Sequence, residues 1–158
     1  MSMKIRDLMI GKVITVDSDY TVKHAADIMN RCGVGCVVVL EKERVAGILT
    51  ERDILKRIVA VAKDPEKTFV REIMSRPVIV VGPDVVLENA VMLMFKHKIK
   101  KLPVIESRRG KEELVGLVTL TDIARVQTNL IRQLREHFER EGKTPPKSMG
   151  KVMNYYIV

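Results

Sequence analysis

Hydrophobic positions along the chain follow two periods, and the order in which the periods alternate is written twice. Residues 13–16 and 78–81 are short β-branched runs. After them Val22, Ala25, Ala26 and Met29, and in the second half Leu87, Ala90, Val91 and Met94, fall at the i, i+3, i+4, i+7 spacing of one helix face. Asp19 and Asp84, just ahead of those helices, are candidate caps. Residues 37–40 and 102–105 read as buried strands, each leading through a polar turn into a second strand, 45–49 or 114–118. A helix starting near Thr50 or Thr119 closes each unit, so the predicted order is strand, helix, strand, strand, helix.

Sliding the chain against itself makes the duplication explicit. Ile5-Arg6-Asp7-Leu8-Met9 matches Val70-Arg71-Glu72-Ile73-Met74, and Val16, Asp19, Ala25 and Met29 match Val81, Asp84, Ala90 and Met94, all at an offset of 65. Gly47-Ile48-Leu49-Thr50-Glu51-Arg52-Asp53-Ile54 then matches Gly116-Leu117-Val118-Thr119-Leu120-Thr121-Asp122-Ile123 at an offset of 69. The four extra residues fall around Arg108 to Glu113, where a hairpin loop lengthens without disturbing its strands.

One unit has a three-stranded sheet with helices on one face and cannot cover the other face alone. Two copies packed sheet to sheet about a pseudo-twofold axis bury it, which predicts one α/β (α+β) module. The expected parts are residues 1–68, residues 69–128, and an extension at 129–158. Residues 63–67 form the polar joint. Leu130, Leu134 and Phe138 continue the final helix until Gly142 and Pro145-Pro146 stop it, and the apolar tail residues Val152, Met153, Tyr155, Tyr156, Ile157 and Val158 are expected to dock on the module or on a second subunit.

Composition narrows the class. The 158 residues suit two small units sharing a core, 46% hydrophobic residues are enough to build it, and 30% charged residues are those of a soluble protein. The longest apolar run, residues 34–40, is too short to cross a bilayer, and no signal region opens the chain, so no membrane insertion and a cytoplasmic location are expected. Cys32 and Cys36 have no second pair to complete a four-ligand zinc site, so neither a metal nor a disulfide is assigned. A net charge of +8 favours anionic partners: nucleotides, nucleic acid or anionic surfaces.

The repeated Gly-h-h-Thr-x-x-Asp, with h apolar, lies where a buried strand hands over to a helix. A threonine hydroxyl there can donate to a phosphate oxygen, and a carboxylate three residues on can accept from both hydroxyls of a ribose. The same letters also spell a capping box, with Thr as the cap and the acid returning to the cap N–H. Duplication does not choose between them, since a duplicated cap looks the same.

Two copies of this unit, each led by h-Arg-[Asp/Glu]-h-Met and closed by Gly-h-h-Thr-x-x-Asp-h, resemble a tandem CBS (cystathionine β-synthase) repeat, or Bateman module, over residues 5–127. The resemblance implies two clefts between the repeats, each accepting an adenosyl ligand: AMP, ADP, ATP or S-adenosylmethionine, as regulator rather than as required cofactor. It places Asp53 and Asp122 on ribose, Thr50 and Thr119 beside phosphate or ribose, and Val13-Ile14 and Val78-Ile79 on adenine. The phosphate-facing positions differ between copies: Arg52 in the first becomes Thr121 in the second, and Gly35-Cys36 becomes Lys100-Lys101. The resemblance also implies a flat homodimer and an output through a partner protein.

The basic cluster Lys96, His97, Lys98, Lys100 and Lys101 divides accordingly. Lys96 and Lys98 read as cations offsetting a helix C-terminus, Lys100 and Lys101 as phosphate contacts. An enzyme is not expected: His24, His97 and His137 sit in different contexts, and no nucleophile motif or Gly-rich phosphate loop occurs. Two other functions compete with the sensor. One is nucleic-acid binding through the basic surface, for which three Tyr, three Phe and no Trp are a poor stacking platform. The other is a structural dimerisation scaffold with unused clefts.

Overall fold

The structure, a computed structural model, describes residues 2–140. The expected docking of the apolar tail lies outside the described residues, as do the side chains of Leu130, Leu134 and Phe138. The first repeat runs through β1 (Thr15–Asp17), α1 (Val22–Cys32), β2 (Cys36–Glu41), β3 (Arg44–Thr50) and α2 (Glu51–Ile54), which passes into a π-turn over Leu55–Val59. A short α3 (Val70–Ile73) follows the joint. The second repeat supplies α4 (Leu87–His97), β4 (Lys101–Arg108), β5 (Lys111–Thr119) and α5 (Leu120–Val126), and α6 (Thr128–Arg140) packs back on α4 and α5.

In the first sheet β1 runs parallel to β2, and β2 antiparallel to β3. The second sheet is the β4–β5 hairpin, and the two sheets meet where β3 approaches β5. The expected strand at 78–81 is reduced to one parallel bridge, Val81 to Val104. The reason is chemical. Ser18 extends the first sheet by donating its N–H to Leu40 at 2.9 Å, and its equivalent in the second copy, Pro83, has no N–H to give. The four extra residues of the second copy add two rungs to its hairpin: Arg108 pairs with Lys111 around Arg109-Gly110, where Glu41 pairs with Arg44 around Lys42-Glu43. All four turn residues have positive φ, the geometry of a two-residue hairpin turn.

Two of the expected helix features are corrected. Asp19 and Asp84 are not caps: α1 is capped by Thr21, whose hydroxyl accepts from the His24 N–H, and α4 starts from Val86. The final helix is also broken rather than continuous, because Gln127, at φ −132°, separates α5 from α6.

The cores explain both aspartates. Buried Val70, Ile73 and Met74, from the segment that opens the second repeat, belong to the core of the first, with Val22, Ala25, Val39 and Leu49. Ile5, with Met3, Leu8 and Met9, belongs to the core of the second, with Leu87, Ala90, Val104 and Ile123. The repeats exchange their leading segments, and each letter of h-Arg-[Asp/Glu]-h-Met has a part in the exchange. Arg6 reaches across to Asp84 at 2.7 Å and Arg71 pairs with Asp19. The acid closes its own turn, Asp7 accepting from the Lys4 N–H and Glu72 from the Phe69 N–H. The methionine lies against a glycine: a Cβ on Gly116 would stand 2.6 Å from Met9 Sδ, and one on Gly47 2.6 Å from Met74 Sδ. A side chain there would have to push the methionine aside and would crowd the Ser75 or Ile10 carbonyl, which accounts for the Gly of the Gly-h-h-Thr strands.

Lys4 and Arg6 together hold the Asp84 carboxyl below the usual carboxylate range, the Lys4 hydrogen bond being the main cause and desolvation opposing it.

Candidate functional site

Both Thr/Asp corners form as the sequence spacing dictates, because β3 and β5 end in extended Thr50 and Thr119 and a helix begins at the next residue. In the first, Thr50 Oγ1 accepts from the Asp53 N–H at 3.2 Å, and Asp53 Oδ2 accepts from the Thr50 N–H and the Thr50 hydroxyl, both at 2.9 Å. The capping box is therefore complete. Asp53 Oδ1 is occupied as well, accepting from the Ser75 hydroxyl at 2.9 Å with Arg57 Nη1 at 3.2 Å. A carboxylate offers about four lone-pair sites; the resting Asp53 accepts three hydrogen bonds and has the Arg57 guanidinium beside its Oδ1. Arg57 also donates to the Ile73 carbonyl at 2.5 Å, which ties this corner to the exchanged segment.

The second corner repeats the first contacts only. Thr119 Oγ1 accepts from the Asp122 N–H at 3.2 Å and its hydroxyl donates to Asp122 Oδ2 at 2.5 Å. Asp122 Oδ1 has Arg125 Nη1 at 3.8 Å and, among the described residues, no hydrogen bond. Its side chain is 17% exposed, against 9% for Asp53.

The first corner opens into a cavity of about 300 Å³ between the repeats. Six expected residues meet there: Gly35, Thr50, Arg52 and Asp53 from the first repeat, and Lys100 and Lys101 from the second. Ile48, Glu51, Lys56, Arg57, Ser75 and Ile99 complete the lining and were not anticipated. Arg57 could have been found as the i+4 ion-pair partner of Asp53 and Lys56 as its neighbour, whereas Ser75 arrives only through the segment exchange. Five cations face two carboxylates in this space, so the cavity is electropositive. Gly35 keeps it open beside Glu51, whose Oε2 would stand 3.3 Å from a Cβ there.

Other expected residues are not in this cavity. Thr119, Thr121 and Asp122 belong to the second corner. Val13 lines a separate hollow of about 620 Å³ at the hairpin tips, with Lys42, Arg44 and Lys111. Ile14 and Ile79 pack on the first and second cores, and Val78 is half-buried beside Ile79. Burial pushes the Cys36 thiol up, opposed by Lys101 and reinforced by Glu51, so it stays protonated at neutral pH. Among the described residues no group of His, Cys, Asp and Glu could hold a metal ion, and no helix is long and apolar enough to cross a membrane.

An exchanged pair of repeats with a Thr/Asp corner in each defines a tandem repeat module with a cleft between its halves. The CBS domain family model matches residues 5–60 and 70–129, and the chain belongs to the CBS-domain proteins. An uncharacterized protein of Methanopyrus kandleri is 35% identical over 140 residues, 88% of this chain and 70% of that one. The CBS domain-containing protein YhcV of Bacillus subtilis is 37% identical over 120 residues, 76% of this chain and 82% of that one. Among solved structures, the CBS domain pair of protein MJ0100 in complex with 5′-methylthioadenosine and S-adenosyl-L-methionine superposes with a TM-score of 0.70 at 26% identity, covering 82% of this chain and 98% of that one. The chain is thus a tandem CBS pair, a regulatory, ligand-binding type of module.

Proposed function

We propose that this protein senses an adenosyl ligand of the AMP, ADP or ATP type and passes the signal to a partner protein through the packing of its repeats, as a homodimer. The observation that carries this reading is the cavity where the Thr50/Asp53 corner meets Lys100 and Lys101. Its volume is at the lower end of the range for small-molecule sites, about 300–1,000 Å³, and its cations suit phosphate oxygens. The similar CBS pair that holds S-adenosylmethionine and 5′-methylthioadenosine supports the adenosyl class.

The same geometry supplies a route for the signal. A ligand that draws Arg57 or Asp53 towards itself takes a hydrogen-bond partner from Ser75 and the Ile73 carbonyl. Those two residues lie on the segment the second repeat lends to the first, so occupied and empty clefts favour different packings of that segment. Such a difference in affinity between two arrangements is what a ligand needs in order to shift them.

Calorimetric titration of the full chain with AMP, ADP, ATP and S-adenosylmethionine tests the proposal. We expect heat with at least one phosphate-bearing ligand. Lys100→Ala/Lys101→Ala should weaken that binding by about tenfold or more, the worth of one charge-assisted hydrogen bond. Absence of heat with all four ligands rules the sensor out.

A further inference from the structure

The two Thr/Asp corners are equivalent in backbone and differ in most of the side chains that decide what charge a ligand can carry, although Lys56 keeps its charge as Arg125 and Asp53 as Asp122. The registers that fix their equivalence are observed: Cys36 pairs with Thr50 as Lys101 pairs with Thr119, and Ser75 bridges Ile48 as Ile10 bridges Leu117. Across that equivalence Arg57 becomes Val126 and Ser75 becomes Ile10, the two residues that occupy Asp53 Oδ1 in the first corner. Arg52 becomes Thr121, Glu51 becomes Leu120, and Lys101, on the opposing strand, becomes Cys36.

The replacements act together. Ile10 is 47% exposed and Val126 53% exposed, a level at which apolar side chains of this size remain largely in water. Neither can bond to a carboxylate, which is why, among the described residues, Asp122 keeps an oxygen without a hydrogen bond while Asp53 does not. The second corner therefore presents an acceptor for a pair of hydroxyls between two wettable apolar side chains. The first presents a carboxylate already engaged by Thr50, Ser75 and Arg57, within a set of five cations. A phosphate chain gains from the first and finds little at the second beyond Arg125 and Lys100; a ribose hydroxyl can donate to Asp122 Oδ1 without breaking a hydrogen bond described there.

We propose that the two clefts sort adenosyl ligands by charge: the cleft at Asp53 takes phosphate-bearing nucleotides, and the corner at Asp122 takes an uncharged adenosine, gripped through its ribose by Asp122 and covered by Ile10 and Val126. This rests on the adenosyl-sensing reading above and adds to it which corner recognises which class. One module then reports two quantities, nucleotide charge state on one side and free nucleoside on the other.

The test is calorimetry on the full chain with two probes, adenosine and ATP, against three variants. Asp122→Asn removes the acceptor charge while keeping the side chain's size, Lys56→Ala/Lys101→Ala removes cations that line the first cleft, and Val126→Arg restores at the second corner the cation found at the first. We expect Asp122→Asn and Val126→Arg each to weaken adenosine by about tenfold and leave ATP within about twofold, and the lysine pair to do the reverse. Val126 is an exposed position at a helix end, so its substitution reads the site without loss of fold. Equal losses for both probes in every variant, or adenosine lost with the lysine pair and kept with Asp122→Asn, overturn the sorting. ATP heat without adenosine heat overturns it while leaving the sensor reading intact, and silence from both probes removes the two together.

Discussion

Ile5→Ala should lower the stability of the whole module by about 2–5 kcal/mol, the range for truncating a fully buried isoleucine, although the residue lies close to the chain's start. Residues in such positions usually tolerate change because little holds them. Ile5 is held. It is 0% exposed, its N–H donates to the Val85 carbonyl at 2.9 Å, and it sits among Leu87, Ala90 and Ile123 in the core of the second repeat. Its counterpart in the first core is Val70, also 0% exposed, with the N–H on the Tyr20 carbonyl at 2.8 Å. Urea denaturation followed by circular dichroism measures the effect. A loss below about 0.5 kcal/mol, the scale of an ordinary surface substitution, would show that the exchanged segment is not part of the core.

The second large effect is expected at Asp53. Asp53→Ala removes the acceptor of the Thr50 N–H and hydroxyl and of the Ser75 hydroxyl, and leaves Arg57 without its carboxylate. Buried donors left unmatched cost about 1–3 kcal/mol. Arg57 is 37% exposed, so water takes over much of its share and the total should lie near 2–3 kcal/mol rather than the larger value of a fully buried pair. Asp122→Ala removes one hydroxyl contact and a distant guanidinium, and should cost about 1 kcal/mol. Thermal or urea unfolding of both variants gives the comparison, and equal losses would contradict the asymmetry of the two corners. The stability difference also governs how binding data are read: a silent Asp53→Ala titration is informative only where the variant is shown to be folded.

Local chemistry was readable in the sequence, and long-range partnership was not. The helix faces at Val22 to Met29 and Leu87 to Met94 and the strand-to-helix corners at Thr50 and Thr119 follow from spacing within a dozen residues, and the repeat from matching those local patterns at offsets of 65 and 69. Asp19 and Asp84 have the residue type and position of caps, and nothing nearby reveals that their partners are Arg71 and Arg6, from the other repeat. Ile5 and Ile73 look equally suited to their own repeat. Their destination is set by a backbone path that periodicity does not encode. At the candidate site, the residues carried by the corner and by Lys100-Lys101 come together, while Ser75 was missed because it enters through the exchange. The two meanings of Thr-x-x-Asp also separate here: the capping box is complete at Asp53, and at Asp122 one carboxylate oxygen accepts no hydrogen bond among the described residues.

The exchanged leading segments bear on cooperativity. Each half of the chain donates a hydrophobic anchor, an arginine and a methionine to its neighbour, so melting one half strips structural parts from the other. Two copies that began as a duplication are thereby expected to unfold as one all-or-none unit.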